Sequence, residues 1–240
     1  MHMADKTIKN PLRKRILRDI RKEKGKYISI FLFLTFMISI VSGMLVTSLS
    51  MMHTYDDGIE TYKLEDGHFS TNSEISVADL QKIADQADSG TAKATIYKQY
   101  FYNFDYTFEG NSNYSIRLYE NREALNTYSV FEGHAPEKDG ELAIDRLFAE
   151  NNNLKIGDTL TFDGKDLTIC GTVAVPDYSC LFEKNSDSMF SATTFTTGFV
   201  TADYFKEFSE SKLTYSFAYR FSDRSLDDRA SYAASTDLMN

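Results

Sequence analysis

Cysteine is scarce in this sequence of 240 residues, which holds only Cys170 and Cys180. Two thiols are too few for a disulfide-stapled scaffold and too few for a zinc site built from cysteines alone. The sequence also lacks G-x-S-x-G, P-loop, H-E-x-x-H and G-x-G-x-x-G signatures. No histidine stands at metal-ligand spacing from another; the four are His2, His53, His68 and His134. We therefore expect no catalytic residue, no bound cofactor and no metal in this chain.

Long apolar runs are equally few, because only one stretch approaches the length of a membrane span. Tyr27 to Met52 is a run of 26 residues without a charge or a proline. As a helix it would be about 39 Å long, enough to cross a hydrocarbon core of about 30 Å. A cleaved signal peptide has a shorter apolar region and a small-x-small site, which only Ser48-Leu49-Ser50 faintly resembles. The run predicts an uncleaved transmembrane helix over 27–52.

Charge divides the chain into a basic head and an acidic body. Residues 5–26 carry ten Lys and Arg against three acidic residues, and the remainder carries 16 basic and 32 acidic residues. Basic flanks stay on the cytoplasmic side, so residues 53–240 are expected outside the cytoplasm. The head is expected to contact anionic membrane lipid, and the absence of a base-reading pattern argues against nucleic-acid binding.

The head has a periodic pattern of its own. Asn10-Pro11 is a helix-start signal, and one face then collects apolar residues, namely Leu12, Ile16, Leu17 and Ile20. Residues 1–26 are therefore predicted to form an amphipathic cytoplasmic helix that Gly25 separates from the span. A role as a generic basic anchor is as favoured as a dedicated contact of this helix with a partner.

Small residues recur every fourth position within the span. They are Thr35, Ser39, Gly43 and Thr47. Helices in lipid associate through such close-packing faces, so this stripe predicts helix–helix packing in a larger assembly.

The remaining sequence reads as one α+β extracytoplasmic domain over 53–240, because strands and short helices are interspersed without regular βαβ spacing. Ser76 to Asp79 forms a capping box that opens a helix to about Gln86. Asp163-Gly164 predicts a hairpin between strands at 158–162 and 165–172. The other predicted elements are strands at 93–108, 115–119, 141–144, 199–200 and 215–221 and helices near 145–151 and 202–208.

Two features of this domain leave alternatives open. Aromatic residues alternate through the predicted strand at 93–108, which favours a core or subdomain contact over a ligand-binding platform. Cys170 and Cys180 lie on the oxidising side and either pair across the loop around Pro176 or remain free and buried.

Asp56-Asp57-Gly58 is expected to form a solvated turn rather than an acid–base site.

Two stretches carry a resemblance to a known family. Leu12 to Gly43 resembles the amphipathic lead and first span of FtsX-like ABC transporter permeases of Gram-positive bacteria. Phe131 to Leu160 resembles the MacB-like extracytoplasmic core domain of the same family. The motif residues of the second stretch are Glu132, Gly133, Pro136, Gly140, Glu141, Gly157 and Asp158. Its apolar residues are expected to fill one core, namely Leu142, Ile144, Leu147, Phe148, Leu154 and Ile156.

The resemblance implies a permease subunit that dimerises with a second permease copy and docks a cytoplasmic ABC ATPase, which binds the ATP. It implies export of peptide- or lipoprotein-type substrates, or transmission of movement to an outer partner. Such permeases have three further spans, so we expect residues 53–240 to be an incomplete outer domain of a longer permease.

A second reading belongs to a different class. A single-pass sensor or binding protein would capture cationic peptides or cell-wall fragments through its acidic outer domain. It needs neither an ATPase nor a helix partner, so the small-residue stripe favours the permease. A membrane-anchored hydrolase is disfavoured because no catalytic constellation can be assembled from this sequence.

Overall fold

This computed structural model describes residues 18, 22–88, 93–108, 112–178, 182–183, 189 and 191–239. The chain divides into two compact units, Met1–Asp56 and Asp57–Asn240. The predicted amphipathic helix of the basic head lies outside the described residues, apart from residue 18 and residues 22–26.

The first unit is dominated by helix α1, Lys24–Thr61, whose last turn belongs to the second unit. The helix has 38 residues and is long and apolar enough to cross a membrane, and none of its residues is buried. The predicted helix over 27–52 is confirmed. Two boundary predictions are wrong: Gly25 lies inside the first turn, and the run from Asp56 to Gly58 is helical rather than a turn. The helix continues because the Gly58 carbonyl accepts from the Tyr62 amide, and the chain reverses only at Lys63, where φ is 51°.

The second unit is built on a mixed sheet of ten described strands. Their bounds are β1 (Gly67–Thr71), β2 (Ala94–Lys98), β3 (Phe101–Phe108), β4 (Ser112–Glu120), β5 (Ser129–Gly133), β6 (Glu141–Asp145), β7 (Thr159–Phe162), β8 (Lys165–Ala174), β9 (Phe195–Val200) and β10 (Leu213–Phe221). The order is β1-β10-β3-β4-β9-β6-β8-β5, with β2 also on β10 and β7 on β8. Only the β4–β9 and β6–β8 pairs are parallel among those described.

Short helices cover parts of this sheet. They are α2 (Val77–Asp88), α3 (Arg146–Asn151), α4 (Ala202–Phe205), α5 (Asp228–Met239) and the 3-10 helices Pro176–Tyr178 and Glu210–Lys212. Ser76 caps α2 as predicted, since its hydroxyl accepts from the Asp79 amide at 3.1 Å and donates to the Asp79 carboxylate at 2.7 Å. Strands and helices together confirm the α+β class.

The largest core cluster fills the space between the sheet and helices α3 and α4. It contains Tyr102 and Phe104 of β3, exposed by 2% and 3%. Tyr102 and Phe104 therefore belong to the core, as the core interpretation of the aromatic strand expects. The Tyr102 hydroxyl donates to the Phe208 carbonyl at 3.3 Å, which satisfies its polar end.

Several local predictions need correction. The strand expected over 93–108 is two strands, because β2 and β3 pair with different parts of β10 and separate at Gln99–Tyr100. Leu147 is 42% exposed rather than in the core, because α3 turns Phe148 and Ala149 inward instead, and Ile156, expected in the core, is 46% exposed. The sequence pattern does not predict β1, β5 or α5.

The hairpin prediction is confirmed. Asp163 and Gly164 connect β7 to β8 with φ of 51° and 75°, the left-handed conformation that a two-residue turn requires. Gly133 at the end of β5 also has a positive φ, 76°. These turns fix the register of β8, which is the strand shared by β5, β6 and β7.

Candidate functional site

A mixed-charge cavity of about 320 Å³ lies in the second unit. Residues of β1, β3, β4 and β10 and of the 3-10 helix Pro176–Tyr178 line it. Both signs of charge are present in its walls: the ionisable acidic and basic residues are Glu65, His68, Arg117, Arg122, Asp177 and Glu183. The sequence alone predicts none of them as site residues.

A buried ion pair forms one wall of the cavity. Arg122 Nη1 donates to Asp177 Oδ2 at 2.6 Å, and the two side chains are 4% and 10% exposed. The guanidinium also lies 4.0 Å from the centre of the Tyr119 ring, a cation–π contact. Burial raises the pKa of Asp177, although the charge of Arg122 opposes that shift.

Two atoms of this pair remain unpartnered. Arg122 Nε and Asp177 Oδ1 are buried and have no hydrogen-bond partner among the described residues. Buried polar groups are nearly always satisfied, so these two atoms are an exception that adds to the free-energy cost of burying the pair.

Arg117 forms a second wall and is held from three directions. Its guanidinium donates to the Tyr178 hydroxyl at 2.8 Å, to the Glu183 carbonyl at 2.8 Å and to Asn103 Oδ1 at 3.1 Å. It also stacks 4.6 Å from the centre of the Phe101 ring. These contacts orient the guanidinium, and the partners of its three hydrogen bonds are neutral groups.

A histidine–carboxylate pair completes the lining. His68 Nδ1 lies 2.6 Å from Glu65 Oε1, and Asn126 donates to the other oxygen of the same carboxylate. The hydrogen bond with Glu65 raises the pKa of His68. Although burial alone raises it, the pKa of Glu65 is lowered overall because His68 and Asn126 stabilise the carboxylate.

The chemistry that this cavity offers is binding. Each of its cations already has a carboxylate, carbonyl, amide or hydroxyl partner, so a simple anion would have to displace those contacts. A small polar or zwitterionic group would meet both signs of charge in the walls of the cavity.

The residues of the predicted stripe all lie in α1, in the first unit. Thr35, Ser39, Gly43 and Thr47 are exposed, and a Cβ built at Gly43 would meet nothing within 4 Å. The face is therefore open to another helix, and its packing role stays a prediction.

The predicted motif residues converge on β8. Gly133 pairs with Gly171, Glu141 pairs with Thr168, and the Gly157 amide donates to the Ile169 carbonyl at 2.8 Å. Of the others, Glu132 is in β5, Pro136 is buried, Gly140 has φ of 83° and Asp158 caps the Lys155 amide. The motif residues are therefore arranged around β8.

The pairing of Cys170 with Cys180, one of two alternatives left open by the sequence, is not tested. Cys170 lies in β8 and is a buried free thiol, whereas Cys180 lies outside the described residues. Burial raises the pKa of the Cys170 thiol to about 11. His134 and Glu141 lie beside Cys170, a juxtaposition that spacing along the chain conceals.

Comparison with known proteins gives structural neighbours only. No family model and no curated protein sequence matches this chain. The chain is similar to the extracellular domain of the noncanonic ABC-type transporter YknZ from Gram-positive bacteria, with 10% identity, a TM-score of 0.37 and coverage of 65% of this chain and 83% of that one. It is also similar to the periplasmic region of MacB from Actinobacillus actinomycetemcomitans, with 9% identity, a TM-score of 0.40 and coverage of 72% and 80%. These likenesses extend to no activity, substrate or partner.

Proposed function

We propose that this chain is the membrane subunit of an FtsX- and MacB-like ABC permease. The basic head lies on the cytoplasmic side against anionic lipid, α1 crosses the membrane, and residues 53–240 form the extracytoplasmic domain. A separate cytoplasmic ATPase binds and hydrolyses ATP, and its movement passes through the membrane to this domain. The outcome is export of a peptide- or lipoprotein-type substrate, or mechanical action on an outer partner, without catalysis by this chain.

The observation that carries the proposal is the way the last turn of α1 is fixed within the second unit. Glu60 makes ion pairs of 2.9 Å with both Arg220 and Arg224. Arg224 continues to Asp66 at 2.6 Å, and Asp66 accepts the Phe221 amide at 2.7 Å. The helix end is therefore linked to β10 through the Glu60 side chain, and Asp66, which follows the helix, is linked to the β10 backbone.

Helix length makes this attachment relevant to the mechanism. A helix of 38 residues is about 57 Å long at 1.5 Å per residue, longer than a hydrocarbon core of about 30 Å requires. Its last turn would therefore emerge from the membrane as helix rather than as a flexible linker. Since that turn is tied to β10, a shift of α1 in the membrane is expected to move the sheet.

The stripe of small residues supports a second helix against α1. A solitary anchor has no use for a close-packing face, whereas a permease dimer or a multi-helix bundle does. We therefore assign the face containing Ser39 and Gly43 to contact with another span, either of a second permease copy or within the same assembly.

Co-purification tests the proposal. The full chain is tagged in its native host, solubilised in mild detergent and analysed by mass spectrometry. We expect a cytoplasmic ABC ATPase in comparable amount, with an ATP hydrolysis rate that changes when Glu60→Gln and Arg224→Met are combined. Glu74→Gln is the matched control, because Glu74 is about as exposed as Glu60 and pairs with Lys98 instead. A membrane-inserted chain that retains no ATPase would overturn the permease assignment.

The cavity favours a second candidate, a single-pass sensor or binding protein. Its walls carry both signs of charge, which suits a polar ligand, and such a protein needs no ATPase. The two candidates separate in the same experiment, since a sensor would bind a cell-wall fragment or cationic peptide with no nucleotide-hydrolysing partner present.

A further inference from the structure

Three residues of different chemistry meet beside β8. His134, Glu141 and Cys170 each offer one ligand atom, and these atoms lie within 4.8 Å of one another. They are separated by up to 36 positions in the sequence and belong to three different segments, the end of β5, the start of β6 and the middle of β8.

The sheet register explains why they meet. Along β6 and β8 the pairing passes from Leu142 with Ile169 to Ala143 with Gly171, so Cys170 is the extra residue of a β-bulge. Bulges redirect side chains, and here the bulge falls next to Glu141. On the other edge of β8, the His134 amide donates to the Cys170 carbonyl at 3.1 Å.

Glycine permits the close approach of the histidine. A Cβ built on Gly171 would lie 2.4 Å from the His134 carbonyl oxygen, closer than any real Cβ contact. Any other residue at position 171 would therefore push the segment of His134 away from β8. The backbone around these three residues is shaped to keep them together.

The nitrogen and oxygen donors are also oriented by the backbone. Glu141 Oε2 accepts from the amides of Glu137 and Lys138 at 2.8 and 3.1 Å, which fixes the carboxylate. His134 Nδ1 lies 4.0 Å from Glu141 Oε2 and 2.8 Å from the Ala135 carbonyl, so the ring stands beside the carboxylate.

We propose that His134, Glu141 and Cys170 form a binding site for a zinc-class divalent cation. A thiolate, an imidazole and a carboxylate are the donor types that Zn²⁺ takes, and three protein ligands leave the fourth tetrahedral position to water or another ligand. Tetrahedral zinc needs ligand atoms about 3.3–3.7 Å apart, as its bond lengths imply, so the group has to close by roughly an ångström. The His134 side chain is 51% exposed, which gives it freedom to move and gives the ion an entry path.

Metal binding by the full chain in detergent, under a thiol-free reductant, tests the site. Zn²⁺ is titrated against a chromophoric chelator, and Co²⁺ is used as a probe of thiolate ligation through its ligand-to-metal charge-transfer absorption. We expect one ion per chain with the charge-transfer band present. Cys170→Ser should abolish the band, and His134→Gln and Glu141→Gln should each weaken Zn²⁺ binding by at least about tenfold.

Matched variants separate this site from other thiols and histidines. The affinity for Zn²⁺ and the charge-transfer band should both remain in Cys180→Ser, His53→Gln and His2→Gln. The last variant is included because it removes a histidine near the chain's amino group. Circular dichroism checks folding, and His134→Gln keeps the test decisive if buried Cys170→Ser unfolds, since His134 is exposed.

Three results would overturn the proposal. They are the absence of a one-to-one complex, binding that survives both Cys170→Ser and His134→Gln, and a Cys170–Cys180 disulfide in protein purified without reductant. The proposal is independent of the permease assignment, because the readout is metal content and the permease test is ATPase co-purification.

Discussion

Arg122 and Asp177 form a 2.6 Å ion pair with 4% and 10% of their side chains exposed, joining the segment after β4 to the 3-10 helix after β8. The two residues are 55 positions apart. Their pairing brings two distant segments of the sheet together and shapes one wall of the cavity.

Removing one partner of this pair should lower the free energy of unfolding more than replacing both partners with apolar residues. Asp177→Asn or Arg122→Met alone leaves an uncompensated buried charge or dipole, and we expect a loss of about 3–5 kcal/mol in the free energy of unfolding. The combined Arg122→Met/Asp177→Leu variant should lose distinctly less, because neither charge remains. Urea unfolding followed by circular dichroism measures both, and single variants that lose less than about 1 kcal/mol would mean that water already solvates the pair.

The His68–Glu65 pair should make stability depend on pH. The folded-state pKa of His68 is raised by Glu65, so the contribution of the pair is complete below the unfolded value of about 6.5 and is lost as the pH rises through the folded value. His68→Gln should therefore destabilise the protein more at about pH 5.5 than at about pH 9. His53→Gln, a histidine of α1, is the control. A deficit that is equal at both pH values would contradict the assignment.

Two glycines with positive φ should respond differently to alanine. A Cβ on Gly133 would meet the Cys170 carbonyl at 2.2 Å and the Gly171 Cα at 2.9 Å, whereas at Gly157 it would meet nothing within 4 Å. Gly157→Ala should cost only the conformational penalty, about 1–2 kcal/mol. Gly133→Ala adds a backbone clash and should exceed about 3 kcal/mol. Thermal unfolding of the two variants, measured side by side, tests this difference. Equal losses of stability would count against the backbone clash at Gly133.

The stripe on α1 should govern association rather than insertion. Ser39→Leu or Gly43→Leu places a large side chain on the close-packing face and should weaken assembly in crosslinking and size-exclusion experiments while the chain stays in the membrane fraction. Ser48→Leu makes the same chemical change on the opposite face, at 3.6 residues per turn, and should leave assembly intact. If all three variants assemble normally, the stripe has no packing role.

Local signals in the sequence were sufficient for part of the fold. The apolar run predicts α1, the Ser76 hydroxyl predicts the start of α2, and Asp163-Gly164 predicts the β7–β8 hairpin, because each depends on residues only a few positions apart. Predictions failed where a longer-range partner decides: β2 and β3 separate because each pairs with its own part of β10.

Neither candidate site could be predicted from the sequence alone. Arg122 and Asp177 have no sequence signature, since an isolated arginine and an isolated aspartate are ordinarily surface residues. The scattered histidines and the paucity of cysteine argued against a metal site, yet the β5–β8–β6 pairing brings His134 and Glu141 to Cys170.

The sequence by itself therefore determined the long apolar helix, the charge asymmetry between its two flanks and the α+β character of the second unit, because hydrophobicity, charge and turn chemistry act over neighbouring residues. Only the tertiary structure decided the cavity, the attachment of the α1 end to β10 and the meeting of three metal-ligating side chains. Those depend on strand order, on register and on one bulge at Cys170, which are set by the packing of the whole sheet.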